Sequence, residues 1–178
     1  MPLENNDYII VNTTSEDHPA ILRLFQEAME WHGQEGYKVW ASIDVAGLQK
    51  DIDQNLQFKI VSSGIILAIF SIQLSDPFIW RGKDHNNAVY LHRIVVDTRF
   101  KGQKLFAKIL NWACDFARKN KLTFIRMDTW ADNSKIINYY QTFGFEFIEY
   151  YQTPDVPELP VQNRNLKVAL LEMRLQEI

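Results

Sequence analysis

The sequence predicts an α/β protein of the α+β type, with a mixed sheet flanked by helices in one domain spanning residues 1–178. Three observations predict it. Residues 58–61 and 65–72 are β-rich runs on either side of Ser62-Ser63-Gly64, the signature of an antiparallel hairpin. Residues 88–96, a long amphipathic stretch and residues 124–129 read as strand, helix and strand, and a crossover of that length favours parallel pairing. A chain of 178 residues that is 47% apolar and 23% charged has the size and composition of a single globular core.

Taken in order, residues 8–14 are rich in β-branched types and bounded by polar ones, a first strand. Ser15 or Asp17 can cap the helix that follows. Pro19 fits only its first turn, Ile21, Leu24, Phe25, Ala28 and Met29 recur at helical spacing, and Gly33 and Gly36 break it. A second helical pattern covers residues 43–56, ahead of the hairpin. Residues 76–87 are turn-rich and polar apart from Phe78, Ile79 and Trp80, and read as an exposed loop. After the strand at 88–96, Leu105, Phe106, Ile109, Leu110, Ala113, Phe116 and Ala117 mark one face of a long helix. Residues 134–143 form a short helix with Ile136, Ile137, Tyr140 and Phe143 inward, stopped by Gly144. Residues 145–152 and 168–175 are strands, and the three prolines within 153–165 make that segment a loop.

Composition excludes several classes of function. A net charge of −3 offers no broad basic field for a phosphate backbone, which argues against a nucleic-acid binder. No apolar run approaches the ~20 residues that cross a bilayer, and residues 1–7 lack the basic-then-apolar pattern of a signal peptide, so a cytoplasmic location without membrane attachment is expected. The single cysteine, Cys114, can form no internal disulfide and is too few for a structural zinc site; no metal is expected. The sequence leaves a homodimer open.

The loop Arg99-Phe100-Lys101-Gly102-Gln103-Lys104 joins a strand to the first turn of a helix. Helix N-termini present unpaired N–H groups and the positive end of a dipole, and a glycine there lets the backbone approach a phosphate closely. The same composition also serves loops that merely connect. Downstream, Asn133, Tyr140, Gly144 and Phe145 stand in an Asn-x6-Tyr-x3-Gly-Phe spacing. Together, Leu91-His92-Arg93-Ile94-Val95-Val96-Asp97, Arg99-x-x-Gly102-x-Lys104 and this second motif resemble the acetyl-CoA signature of the GNAT superfamily of N-acetyltransferases, with the element order matching from first strand to last.

That resemblance implies a central mixed, mostly antiparallel sheet of about seven strands, whose fourth and fifth strands splay to admit the pantetheine arm of acetyl-CoA. Main-chain groups at Ile94, Val95 and Val96 would hold the arm, and the N–H groups from Arg99 through Phe100, Lys101, Gly102 and Gln103 to Lys104 would hold the pyrophosphate, with Asn133 and Tyr140 also at the cofactor. The family has Gly or Ala where this chain has Lys104, whose side chain either points away or crowds the site. The resemblance also implies acetyl transfer to an amine-bearing small molecule or peptide in a ternary complex, with Tyr140 at the position of the acid that protonates the departing thiolate. Tyr139, about 100° away on a helix, is the poorer candidate. An alkylammonium titrates near 10.4, so a base is useful. His92 and Asp128 are both candidates, against the alternatives of a hydrogen-bonded strand histidine and of a carboxylate paired with Arg93 or Arg126. Trp31, His32, Tyr37, Trp40, Phe78, Trp80 and Trp130 could line an acceptor pocket or simply pack. A GNAT-fold module that binds acyl-CoA without turnover is the alternative to an enzyme.

Overall fold

Strands form where β-branched and aromatic runs lie between turn residues, and helices where apolar residues recur every three or four positions. A computed structural model describes residues 8–176; residues 1–7, on which the expected absence of a leader rests, lie outside it. The strands are β1 (Ile9–Asn12), β2 (Gln57–Ser62), β3 (Ile65–Gln73), β4 (Ala88–Val96), β5 (Phe124–Trp130), β6 (Glu146–Gln152) and β7 (Lys167–Arg174), and the helices α1 (His18–Gln34), α2 (Val45–Asp53), α3 (Pro77–Trp80), α4 (Leu105–Lys119) and α5 (Ser134–Gln141). The seven strands are hydrogen-bonded in the order β1-β2-β3-β4-β5-β7-β6. The chain divides into two compact units, Met1–Ser71 with Arg93–Ile109 and Ile72–His92 with Leu110–Ile178.

In the first unit, β1 and β3 both pair antiparallel with β2. The β2–β3 turn places Ser63 at φ 49° and Gly64 at φ 77°, the two positive angles of a hairpin turn that follows the twist of its strands. Asp17 stands at the N-cap of α1 but does not cap it, its carboxylate accepting instead from the N–H of Thr14 (2.8 Å) and from Lys59; Pro19 sits in the first turn, and the helix runs through Gly33 to end at Gln34, so that only Gly36, at φ 77°, breaks the chain. Ile21, Leu24 and Phe25 of α1 and Leu48 and Ile52 of α2 bury their side chains with Ile69 and Val95. Arg93, within β4, has the left-handed φ of 49°, and its guanidinium forms ion pairs with Asp51 and, at 3.1 Å, with Asp44.

In the second unit, β7 pairs antiparallel with β5 and β6, and the first residues of β4 pair parallel with β5 from Ala88↔Phe124 to Leu91↔Met127. Beyond that register the two strands splay. Residues 76–87 depart from the expected exposed loop. They make the short helix α3 and a 3-10 turn, and Ile79 and Trp80 are buried with Ala88, Tyr90, Val168 and Leu170. A four-residue helix is too short for its periodicity to show, and the burial of an Ile-Trp pair overrides the turn composition around it. Arg126, in β5, crosses this core: Nε donates to Glu172 (2.7 Å), and Nη1 donates to the carbonyl of Lys83 (2.7 Å) and to the Tyr90 hydroxyl (3.0 Å). No helix among the described residues is long and apolar enough to cross a membrane.

Candidate active site

The phosphate-loop candidate lies in the first unit. Asp97, buried at the end of β4, donates its N–H to the carbonyl of Leu67 (2.9 Å), and its carboxylate accepts from the N–H of Arg99 (3.0 Å) and from the Arg99 guanidinium. Burial opposes ionisation of Asp97, but the hydrogen bonds and charge of Arg99 outweigh it and hold the carboxyl below its ordinary value. The N–H of Arg99 is therefore committed inside the loop, as is that of Phe100, which donates to the carbonyl of Asp97 (2.9 Å), and that of Gln103, which donates to the carbonyl of Phe100 (3.4 Å). Among the described residues, no backbone carbonyl receives the N–H of Lys101, Gly102 or Lys104. The expected cradle of six donors narrows to these three.

Gly102 has φ 81° and open space where a side chain would stand, so an anion can approach its backbone. These groups fit a pyrophosphate. Lys104 is exposed and does not crowd the loop, but its φ of 54° belongs to the region where a side chain costs roughly 1 kcal/mol. Lys104→Gly is therefore expected to raise stability by up to about 1 kcal/mol, reduced by glycine's extra freedom in the unfolded chain. Urea unfolding checks this, and a variant less stable than the parent contradicts it. The Lys101 ammonium sits over the ring of Trp31, and burial lowers its pKa against the opposing charge of Glu35. Thus Trp31, read from sequence with the acceptor, packs on the candidate phosphate loop. Ile94, Val95 and Val96 close β4, with Val95 turned into the core.

The second unit holds the candidate acid–base residues. His92 Nδ1 lies 3.8 Å from Asp128 Oδ1, across the point where β4 and β5 stop pairing. Arg93 and Arg126, the alternative partners of Asp128, are engaged with Asp44 and Asp51 and with Glu172. Burial raises the Asp128 carboxyl to about 6, with His92 lowering it and Asp76 raising it further. Asp76 was not legible as a site residue. Its Asp-Pro context signals only a turn, and the fold brings it 3.2 Å from His92 Nε2.

Asn133 caps α5, its side-chain oxygen accepting from the N–H of Ile136 (3.1 Å). Tyr140 is 9% exposed and Tyr139 43%, which confirms the helical register that separates them. Burial, reinforced by Tyr139, pushes the Tyr140 phenol well above its ordinary value, so at neutral pH it holds its proton. Several of the aromatic residues read with the acceptor pack against neighbours in their own unit. Trp80 is buried, Trp40 packs edge-on against Phe25 (5.6 Å between ring centroids), and Trp31, His32 and Tyr37 stack edgewise on one another.

A mixed sheet with splayed parallel strands, a glycine-bearing loop before a helix, and a buried phenol defines a class of acyl-group transferases. The model of the acetyltransferase (GNAT) family matches residues 25–145. An uncharacterized N-acetyltransferase of Bacillus subtilis (strain 168), YesJ, is 28% identical over 141 residues, 75% of this chain and 78% of that one. A GNAT-family acetyltransferase from Listeria monocytogenes 4b F2365 superposes with a TM-score of 0.77 at 20% identity, over 94% of this chain and 95% of that one. YncA of Salmonella typhimurium, solved with its cofactor acetyl-CoA, gives 0.64 at 18% identity over 97% and 96%. The chain belongs to the GNAT acetyltransferase family, whose members draw the acetyl group from acetyl-CoA.

Proposed function

We propose that residues 1–178 act as one cytoplasmic N-acetyltransferase domain that moves an acetyl group from acetyl-CoA to the primary amine of a small molecule or peptide, by direct attack in a ternary complex. The carboxylate–imidazole pair of Asp128 and His92 carries the reading: a half-buried carboxyl held near 6 is ionised at neutral pH, yet is a far better base than an ordinary aspartate. Bound acetyl-CoA supplies an activated thioester carbonyl and a thiolate leaving group. The N–H groups of Lys101, Gly102 and Lys104 bind its pyrophosphate, and the main chain of Ile94, Val95 and Val96 binds its arm. Asp128 takes the amine proton, with His92 as its partner, and the protonated Tyr140 delivers a proton to sulfur.

The test is release of CoA from acetyl-CoA against arylalkylamines, polyamines, aminoglycosides and peptides. Tyr140→Phe is expected to lower kcat roughly 100-fold with little change in KM, since a general acid acts in the transition state. Tight acetyl-CoA binding without turnover across the panel would instead mark a sensor. No shift in melting temperature with acetyl-CoA would remove the assignment altogether.

A further inference from the structure

His92 stands between two carboxylates, each facing its own ring nitrogen: Asp76 Oδ2 is 3.2 Å from Nε2 and Asp128 Oδ1 is 3.8 Å from Nδ1. The three groups each place an atom within 4.8 Å of the others. Carboxylates at opposite nitrogens of one ring suit a proton relay, whereas a single chelated ion would draw both to the same nitrogen. The Asp76 side chain is 11% exposed, and the oxygen that faces the ring is buried and has no hydrogen bond. Such an oxygen is costly to bury unless a positive charge comes to it.

The segment that carries Asp76 is fixed independently of His92. The Ser75 hydroxyl (2.7 Å) and the Asp76 N–H (2.8 Å) donate to one oxygen of Asp84, and the Tyr90 hydroxyl donates to the other (2.7 Å). The carbonyl of Asp76 accepts from the N–H of Trp80 (2.9 Å), opening α3. Ordering of this kind holds the carboxylate against the imidazole before any substrate arrives. Of the basic residues near the cluster in sequence, Arg81 and Lys83 pair with Glu149, Arg93 with Asp44 and Asp51, and Arg126 with Glu172.

We infer that Asp76 is a positioning residue for acetyl transfer, holding the His92 ring at Nε2 and supplying the counter-charge when that ring carries the proton relayed from Asp128. The inference rests on the acetyltransferase reading above. An ammonium acceptor loses two protons as its C–N bond forms and the C–S bond breaks. One ends on sulfur by way of Tyr140. The other passes to the Asp128 carboxylate, then through a water spanning the 3.8 Å gap to Nδ1 of His92, giving an imidazolium whose Nε2–H points at Asp76, and finally to solvent. The geometry favours a cationic acceptor, because the two carboxylates leave the cluster net negative even with the ring protonated.

The experiment follows the pH titration of the His92 ring signals by NMR in the isotope-labelled full chain, assigned by their loss in His92→Gln, alongside CoA-release kinetics. Asp76→Asn is expected to lower the His92 midpoint by about one pH unit, as loss of an adjacent opposite charge does. It should also lower kcat about tenfold while both KM values change less than about twofold. Asp76→Glu should restore the midpoint and part of kcat, which a merely structural role would not do. An unmoved midpoint, or a raised KM with kcat intact, overturns the inference. The titration needs no turnover, so the two readings fail separately. A shifted midpoint in a protein that acetylates no amine would leave the Asp76–His92 pairing standing and overturn the acetyltransferase reading, and with it the role in transfer.

Discussion

The Asp128→Asn protein is expected to turn over roughly 100- to 10,000-fold more slowly, the range that a positioned general base contributes. It should also lose the decline in rate expected of the parent below about pH 6. Burial raises the Asp128 carboxyl, His92 pulls it back, and Asp76 raises it again, so that it ends at about 6. Above that pH the carboxylate is present and can accept a proton; below it the base is blocked. A pH–rate profile of the variant that keeps the acid limb would remove Asp128 from the role. The same shift predicts a stability effect of opposite sense. Because the folded carboxyl titrates higher than the ~3.9 of an unfolded chain, the folded state binds more protons between about pH 4 and 6, and stability falls as pH rises through that window. Two units correspond to about 3 kcal/mol, which the neutral asparagine does not lose. Urea unfolding at pH 8 should therefore show the slower enzyme to be the more stable protein, a trade of stability for chemistry that active sites commonly make.

Arg126→Leu is expected to cost about 3 kcal/mol of stability, because removing one member of a buried ion pair strands the other. The Arg126 side chain is 5% exposed and serves Glu172, the Lys83 carbonyl and the Tyr90 hydroxyl at once, with its guanidinium 4.7 Å from the Trp80 ring centroid. Glu172, at 21% exposure, keeps some water, so Glu172→Leu should cost less, and the double variant less than the sum of the two. Urea denaturation of the three proteins measures this, and additive losses would show that the pair is uncoupled. The loss reaches the chemistry as well. Tyr90 donates to Asp84, and Asp84 fixes the backbone of Asp76.

What was legible in the sequence follows from how local each signal is. The β2–β3 hairpin and the parallel β4–β5 pair rest on contiguous patterns and turn residues and stand where those patterns place them; the inward face of α5 holds at Ile137 and Tyr140, while the helix ends at Gln141, short of Phe143. The family likewise followed from two short motifs. Residues 76–87 were misread because a buried Trp80 inside a turn-rich stretch is decided by the strands around it, β4 and β7. Asp76 was missed for the same reason: nothing near it in sequence says that His92, sixteen residues on, will face it. The donors of the phosphate loop were overcounted. Composition shows which N–H groups exist but not that Asp97 and Phe100 claim three of them.

Arg93 carries a consequence for how this chain can change over generations. Its left-handed backbone is tethered by the carboxylates of Asp44 and Asp51, and Asp44 also accepts from the N–H of Gly47 (3.0 Å) at the start of α2. A Cβ at position 47 would collide with both Asp44 and Arg93. Residues 44, 47, 51 and 93 thus form a set in which any one substitution exposes the others to strain or to an unpaired charge. Descendants of this chain should alter them in concert, leaving a covarying quartet that links the cap of a helix to the bend of a strand.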